Sequence, residues 1–94
     1  MKYQVTAHGH RLEALGAHSG YRIRMSTLSA QDLDNWPVHV FVRGSESEDE
    51  VRVDVPRRHF RSATEAFEFG YQCATLWIDA QDHRQYLDEP PPHA

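Results

Sequence analysis

The side chains of this chain best equipped for chemistry are its arginines, nine against a single lysine, and two groups of them form patterns. Arg57, Arg58 and Arg61 stand just before Ser62, in the run RRHFRSATEAF. Free N–H groups of a first helical turn, a serine hydroxyl and three guanidinium groups together could hold a phosphate, a carboxylate or an acidic peptide. Positive charge is electrostatically disfavoured at a helix N-terminus, so the placement asks for a reason. The plain alternative is pairing with the acidic residues Glu46, Glu48, Asp49 and Glu50, exposed ion pairs that contribute only about 0–1 kcal/mol each. A second group follows from alternation in YRIRMST, VHVFVR and VRVDV. With the apolar residues turned inward, Arg22, Arg24, His39, Phe41, Arg43, Arg52 and Asp54 share the outer face of a sheet. Arginines around an exposed aromatic have the composition of sheet surfaces that stack and grip single strands. A one-sided sheet with a wet outer face has that composition too, because arginine stems cover apolar surface while the charge stays in water. The formal charge of −4 favours the wet face and makes nucleic acid a poor candidate, since its binders display a net basic footprint.

Other chemistry is thinly supplied. His8 and His10 could put two imidazoles on one side of an extended segment, but catalytic zinc commonly takes three protein ligands and structural zinc four, and no third ligand follows from the sequence. A metal is therefore not expected, with His8 and His10 its weak candidates. Cys73 is the only cysteine, which rules out an intrachain disulfide. Its place beside an apolar helical stripe makes it a small hydrophobe rather than a nucleophile. The chain has no phosphate-cradling glycine loop, no nucleophile elbow and no carboxylate pair that can be placed. No catalytic residue and no cofactor are assigned, and the reading is non-enzymatic.

The elements that must position these residues are legible in two periods. From Ser62 to Asp79 the sequence SATEAFEFGYQCATLWID follows a helical period. Ser62 and Glu65 form an S-x-x-E capping box, while Ala63, Ala66, Phe67, Gly70, Ala74, Trp77 and Ile78 fall on one side and Glu65, Glu68, Gln72, Thr75 and Asp79 on the other. A glycine inside a helix costs about 1 kcal/mol relative to alanine, so Gly70 on the packed face predicts close approach to a neighbouring layer, which should be a sheet. Before residue 60 the period is two. Tyr3, Val5 and Ala7 alternate with polar neighbours, as do Leu12 and Ala14, so residues 3–15 form either one long bent strand or a short hairpin. The run GAHSG is turn material, residues 21–27 a half-buried strand, and residues 29–37 a loop. Residues 38–43 and 51–55 each carry three valines and predict an antiparallel hairpin around an acidic tip, stopped by Pro56. Phe69 and Leu76, seven residues apart, lie on the helix flank away from the main stripe. Either the N-terminal segment or the 29–37 loop covers them, or they form part of an interface with a partner.

Ninety-four residues, 39% hydrophobic and 26% charged, suit one α+β domain over residues 1–86 with a disordered proline-rich tail at 87–94. The start MKYQVTAHGHRLEALG has no apolar stretch long enough for a signal peptide or a membrane span. The expectation is cytoplasmic, with no membrane partner. The aromatic-S-x-x-E-A start at Phe60, Ser62, Glu65 and Ala66 and the A-x-x-W-I-D end at Ala74, Trp77, Ile78 and Asp79 resemble small uncharacterised bacterial proteins in which an antiparallel sheet precedes one terminal helix. That resemblance implies the fold and a bacterial origin, and carries no catalytic residue with it. The sequence thus predicts a two-layer α+β fold, about four antiparallel strands against one C-terminal α-helix. It predicts a small binding module for a protein partner or a second copy, met through the helix flank or an unpaired sheet edge. The alternative is a binder of an anionic ligand or single-stranded nucleic acid at the arginine-rich surfaces.

Overall fold

A computed structural model describes residues 2–28, 36–44, 49–58 and 60–88, with residues 82–88 described by backbone alone. Five strands precede one helix: β1 (Tyr3–His8), β2 (Arg11–His18), β3 (Tyr21–Leu28), β4 (Val38–Arg43), β5 (Val51–Val53) and α1 (Ala63–Asp88). The strands form one antiparallel sheet in chain order, β1 to β5, so every connection is between neighbours. Two tight turns set the first registers. Gly9, at φ 65, opens the turn after the closing pair His8 and Arg11. Ser19 and Gly20, at φ 51 and 83, turn the chain between His18 and Tyr21. Consecutive left-handed residues match the right-handed twist of the flanking strands, the reason two-residue hairpins favour them.

Register then sorts the side chains into cross-sheet rows. On the helix side, Tyr3, Gly16, Ile23, Val42 and Val51 form one row and Val5, Ala14, Met25, Val40 and Val53 the next. Ala7, Leu12, Thr27 and Val38 form a third. Ala14, Ile23, Met25, Val40, Val42 and Val53 are buried under the helix with Ala66, Phe67, Ala74 and Ile78. Gly70 is the point of nearest approach. A Cβ built there would lie 3.0 Å from Val38 Cγ2, 3.1 Å from Met25 Sδ and 3.1 Å from Val40 Cγ2. The close approach that the sequence demanded of Gly70 is therefore made to three side chains on two strands.

The helix N-terminus forms as its sequence directs, with one shift. Glu65 N–H donates to Ser62 Oγ at 3.1 Å, whereas Glu65 Oε2 receives the Arg61 N–H at 3.4 Å, one residue earlier than a capping box places it. Four boundaries differ from expectation. There are five strands rather than about four, because Gly9 and His10 form a turn and residues 3–15 are a hairpin. The helix continues nine residues past Asp79, since 80–88 contains neither glycine nor proline. Its end at Asp88 leaves Glu89 before Pro90, a position that disfavours the helical region. Residues 87 and 88, assigned to the tail, are thus helical, and 89–94 lie outside the described residues. The last strand stops at Val53 instead of Val55, two residues short of Pro56, which has no N–H for the ladder. Residues 29–35, most of the predicted loop, also lie outside the described residues.

Two substitutions test the packing. Alanine at Gly70 gains about 1 kcal/mol of helix propensity, yet it presses a methyl against three side chains at once, for which overpacking costs about 1–3 kcal/mol. Gly70→Ala should lower stability by about 1 kcal/mol in urea denaturation and Gly70→Val by more; a Gly70→Ala protein more stable than wild type would show that the layers have slack. Thr27 is fully buried and its hydroxyl has no hydrogen-bond partner among the described residues. Replacing it by the isosteric valine, Thr27→Val, should raise stability by about 1 kcal/mol, and a loss would reveal a partner for the hydroxyl.

Candidate functional site

On the outer sheet face, register places Leu15, Arg24, Phe41 and Arg52 in one cross-strand row, with Arg22 opposite Arg43 and Ser26 opposite His39 in the rows beside it. Arg22, Arg24, His39, Phe41, Arg43 and Arg52 thus share this face, while Asp54 lies past the end of β5 and outside the register. Arg24 is already committed. Its Nε and Nη2 both donate to the Glu50 carboxylate at 2.9 Å, and its guanidinium lies 4.4 Å above the Phe41 ring. The Arg24 hydrogen bonds hold the Glu50 carboxyl below its ordinary range, and Glu50 raises Arg24 in return. One face of the aromatic that gave this surface its resemblance to a stacking platform is therefore occupied, and the acidic run supplies the clamp. Glu50 goes to Arg24 and not to the Arg57–Arg61 cluster; Glu46 and Glu48 lie outside the described residues.

The arginine cluster before the helix divides between two surroundings. Arg58 lies 4.6 Å over the Phe69 ring, and buried Phe60 packs against Phe69 at 5.3 Å. Phe69 is thus covered by the β5–α1 connection, while Leu76 stays 69% exposed. Of the two segments first considered as the cover, the N-terminal strand runs along the opposite sheet edge, and residues 29–35 of the loop lie outside the described residues. Arg57 and Arg58 line a cavity of about 670 Å³ together with Arg52 and His39. Arg61 and Ser62 are not among its lining residues, and the Ser62 hydroxyl oxygen already receives the Glu65 N–H. The expected four-residue anion set is therefore split, and two members are joined to residues of the outer-face group.

The remaining candidates do not assemble. His8 ends β1 and His10 sits in the following turn; among the described residues no three metal-ligating side chains converge. Cys73 is half-buried, and burial pushes its thiol pKa up while Arg58 partly opposes the shift. A thiol held protonated is a poor nucleophile.

Another concavity lies at the other end of the sheet. A groove of about 470 Å³ runs between β1 and the first turns of α1, floored by Tyr3, Val5, Leu12 and Phe67, with Lys2 and Glu68 on its walls. Tyr3 anchors this end, its ring 6.1 Å from Phe67 at 64° and 5.6 Å from Tyr71, and its hydroxyl donating to Glu68 at 2.9 Å. Gly16, opposite Tyr3, leaves room for the rings: a Cβ there would meet Lys2 O at 2.9 Å and the Tyr71 ring at 3.5 Å. Val5, on the same face, is 47% exposed. The expected inward row of Tyr3, Val5 and Ala7 is thus buried only at Tyr3. Sequence reasoning named an unpaired edge in general; the signal that picks this one is YQVTA, five residues without a charge or a proline.

Comparison with protein-family models, curated proteins and solved structures gave no match to this chain. Among the described residues no helix is long and apolar enough to cross a membrane.

Burial and the bond to Glu68 push the Tyr3 phenol up to about 12, against about 10 in an unfolded chain. The folded state holds the proton more tightly, so this contribution is complete below pH 10 and is lost as pH rises from 10 toward 12. In urea denaturation between pH 9.5 and 11.5, wild type should lose about 1–2 kcal/mol more than Tyr3→Phe. Equal losses in the two proteins would show that the phenol is not coupled to folding.

Proposed function

We propose that this chain is a small non-enzymatic protein-interaction module that works by strand addition at the free edge of β1. The observation that carries this reading is the contrast between the two sheet edges. Natural edges are blunted by short length, charge, proline or bulges. The β5 edge has three residues with Arg52 at their centre and Pro56 soon after. The β1 edge has six residues, and from Tyr3 to Ala7 it has none of these protections. An added strand would gain main-chain hydrogen bonds along β1 and lay alternate side chains over the groove beside Val5, the mode by which sheet edges recognise extended chains.

The occupant its sequence specifies best is β1 of a second copy. In an antiparallel pair centred on Val5, Val5 faces its own equivalent and Tyr3 faces Ala7, apolar against apolar on the helix side. Gln4 then faces Thr6, polar against polar on the outer side. A pairing register is strongly specified when both faces agree in this way, and a two-fold contact requires such self-complementarity. Joining two sheets edge to edge would also cover Val5, which one helix leaves wet.

Light scattering over roughly two decades of micromolar concentration tests this. Wild type should pass from monomer to dimer, and Val5→Lys, a charge placed at a half-exposed position, should remain monomeric with its fold intact by circular dichroism. A wild-type protein that is monomeric throughout, or a Val5→Lys dimer as strong as wild type, would refute assembly through this edge.

A further inference from the structure

At the opposite edge of the sheet, we infer that the cleft between the start of β4 and the β5–α1 connection is a binding site for a small organic anion, a phosphate or carboxylate carried on an apolar body. Its origin is a ladder that stops early. The β4–β5 pairs are Val42 with Val51, Phe41 with Arg52 and Val40 with Val53. Continuing that register would set His39 opposite Asp54 and Val38 opposite Val55, but β5 ends at Val53 and the two chains line the cleft instead of pairing. The ends of both segments are stiffened by Pro37 and Pro56, whose rings fix φ. The β4–β5 ladder takes up no backbone group of Asp54 or Val55, and such groups need a partner in protein, water or ligand.

The lining has two chemistries. Val38, Val53, Val55 and buried Phe60 supply apolar surface. Among its charged lining residues are three arginines, Arg52, Arg57 and Arg58, and one carboxylate residue, Asp54, together with His39. This is a cationic concavity on a chain whose formal charge is −4. Among the described residues none of these three arginines has an ion-pair partner, whereas Arg11 and Arg24 do. The Arg58 guanidinium stacks on the Phe69 ring at 4.6 Å, which restricts its side-chain freedom. Arginine forks match phosphate and carboxylate oxygens in pairs, and an apolar floor with a few convergent polar groups is the usual make-up of a small-molecule site. The volume of about 670 Å³ falls in the range of roughly 300–1,000 Å³ typical of ligand pockets. Nothing in this cleft depends on β1, so the site stands apart from self-association.

Amide chemical-shift titration tests the site with phenyl phosphate, phenylacetate, inorganic phosphate and phenol as probes. The first two should give saturable shifts at residues 38, 39, 52–55, 57, 58 and 60, while phosphate and phenol alone bind at least about tenfold more weakly because each meets half of the lining. Arg52 and Arg57 are exposed, so Arg52→Gln/Arg57→Gln should keep the fold, verified by its amide spectrum, and weaken phenyl phosphate by about tenfold or more. Arg22→Gln, on the outer face away from the cleft, should bind as wild type. Shifts that do not saturate, an equal loss in Arg22→Gln, or an unchanged affinity in the double variant would overturn the assignment. Inorganic phosphate binding as tightly as phenyl phosphate would overturn the apolar half of it.

Discussion

One α-helix must cover five strands, and it is too narrow to do so. Strands about 4.8 Å apart make a sheet of this size about 19 Å across, while a helix with its side chains is about 10–12 Å wide. The chain places its helix over the middle, where Gly70 lets the backbone approach Met25, Val38 and Val40, and the dry interior is strongest there. Everything peripheral follows from what this placement leaves uncovered. Val5 and Val51, inward-facing residues of the outermost strands, are 47% and 46% exposed. The two edges then deal with the shortfall in different ways.

On the β5 side the connection into the helix takes over the covering. Phe60 is buried against Phe69, and Arg58 closes over the other ring. This bend requires the chain to leave the ladder at Val53, which is also what opens the cleft between β4 and the connection. The same local event therefore completes the core and makes the concavity. On the β1 side no such segment exists among the described residues, and coverage comes from Tyr3 alone, reaching across to Phe67, Tyr71 and Glu68. A phenol that must bury its ring and satisfy its hydroxyl suits a boundary of this kind, apolar on one side and polar at its tip.

How far this was legible depends on the range of each interaction. The helix start, the alternating faces, the two-layer α+β fold and the close contact at Gly70 are written in residues one to four apart, and local patterns report them well. The turn at Gly9 was half legible, because a glycine between alternating runs fits a bend as well as a reversal. The helix beyond Asp79 is not legible in an apolar stripe, because DAQDHRQYLD is mostly polar, yet it contains no glycine or proline to break the helix. The grouping of Arg52 with Arg57 and Arg58 was not legible at all. It depends on where one ladder fails, and that is decided by competition between pairing with β4 and packing Phe60 under the helix.

Charge shows the same dependence on position. Arginines look alike in sequence, yet the fold gives the described ones different surroundings. Arg24, in the centre of the outer face, has Phe41 beneath it and Glu50 across it, so its charge is spent on the surface of the fold itself. Because that pair is only partly shielded from solvent, with a third of each side chain or more exposed, it adds little stability by itself. Its larger effect is to hold Glu50, at the end of the acidic run, beside β3. Among the described residues Glu50 is paired with Arg24 and with none of the arginines around the cleft. A net negative chain keeps one local cationic concavity, an arrangement that overall charge neither predicts nor forbids.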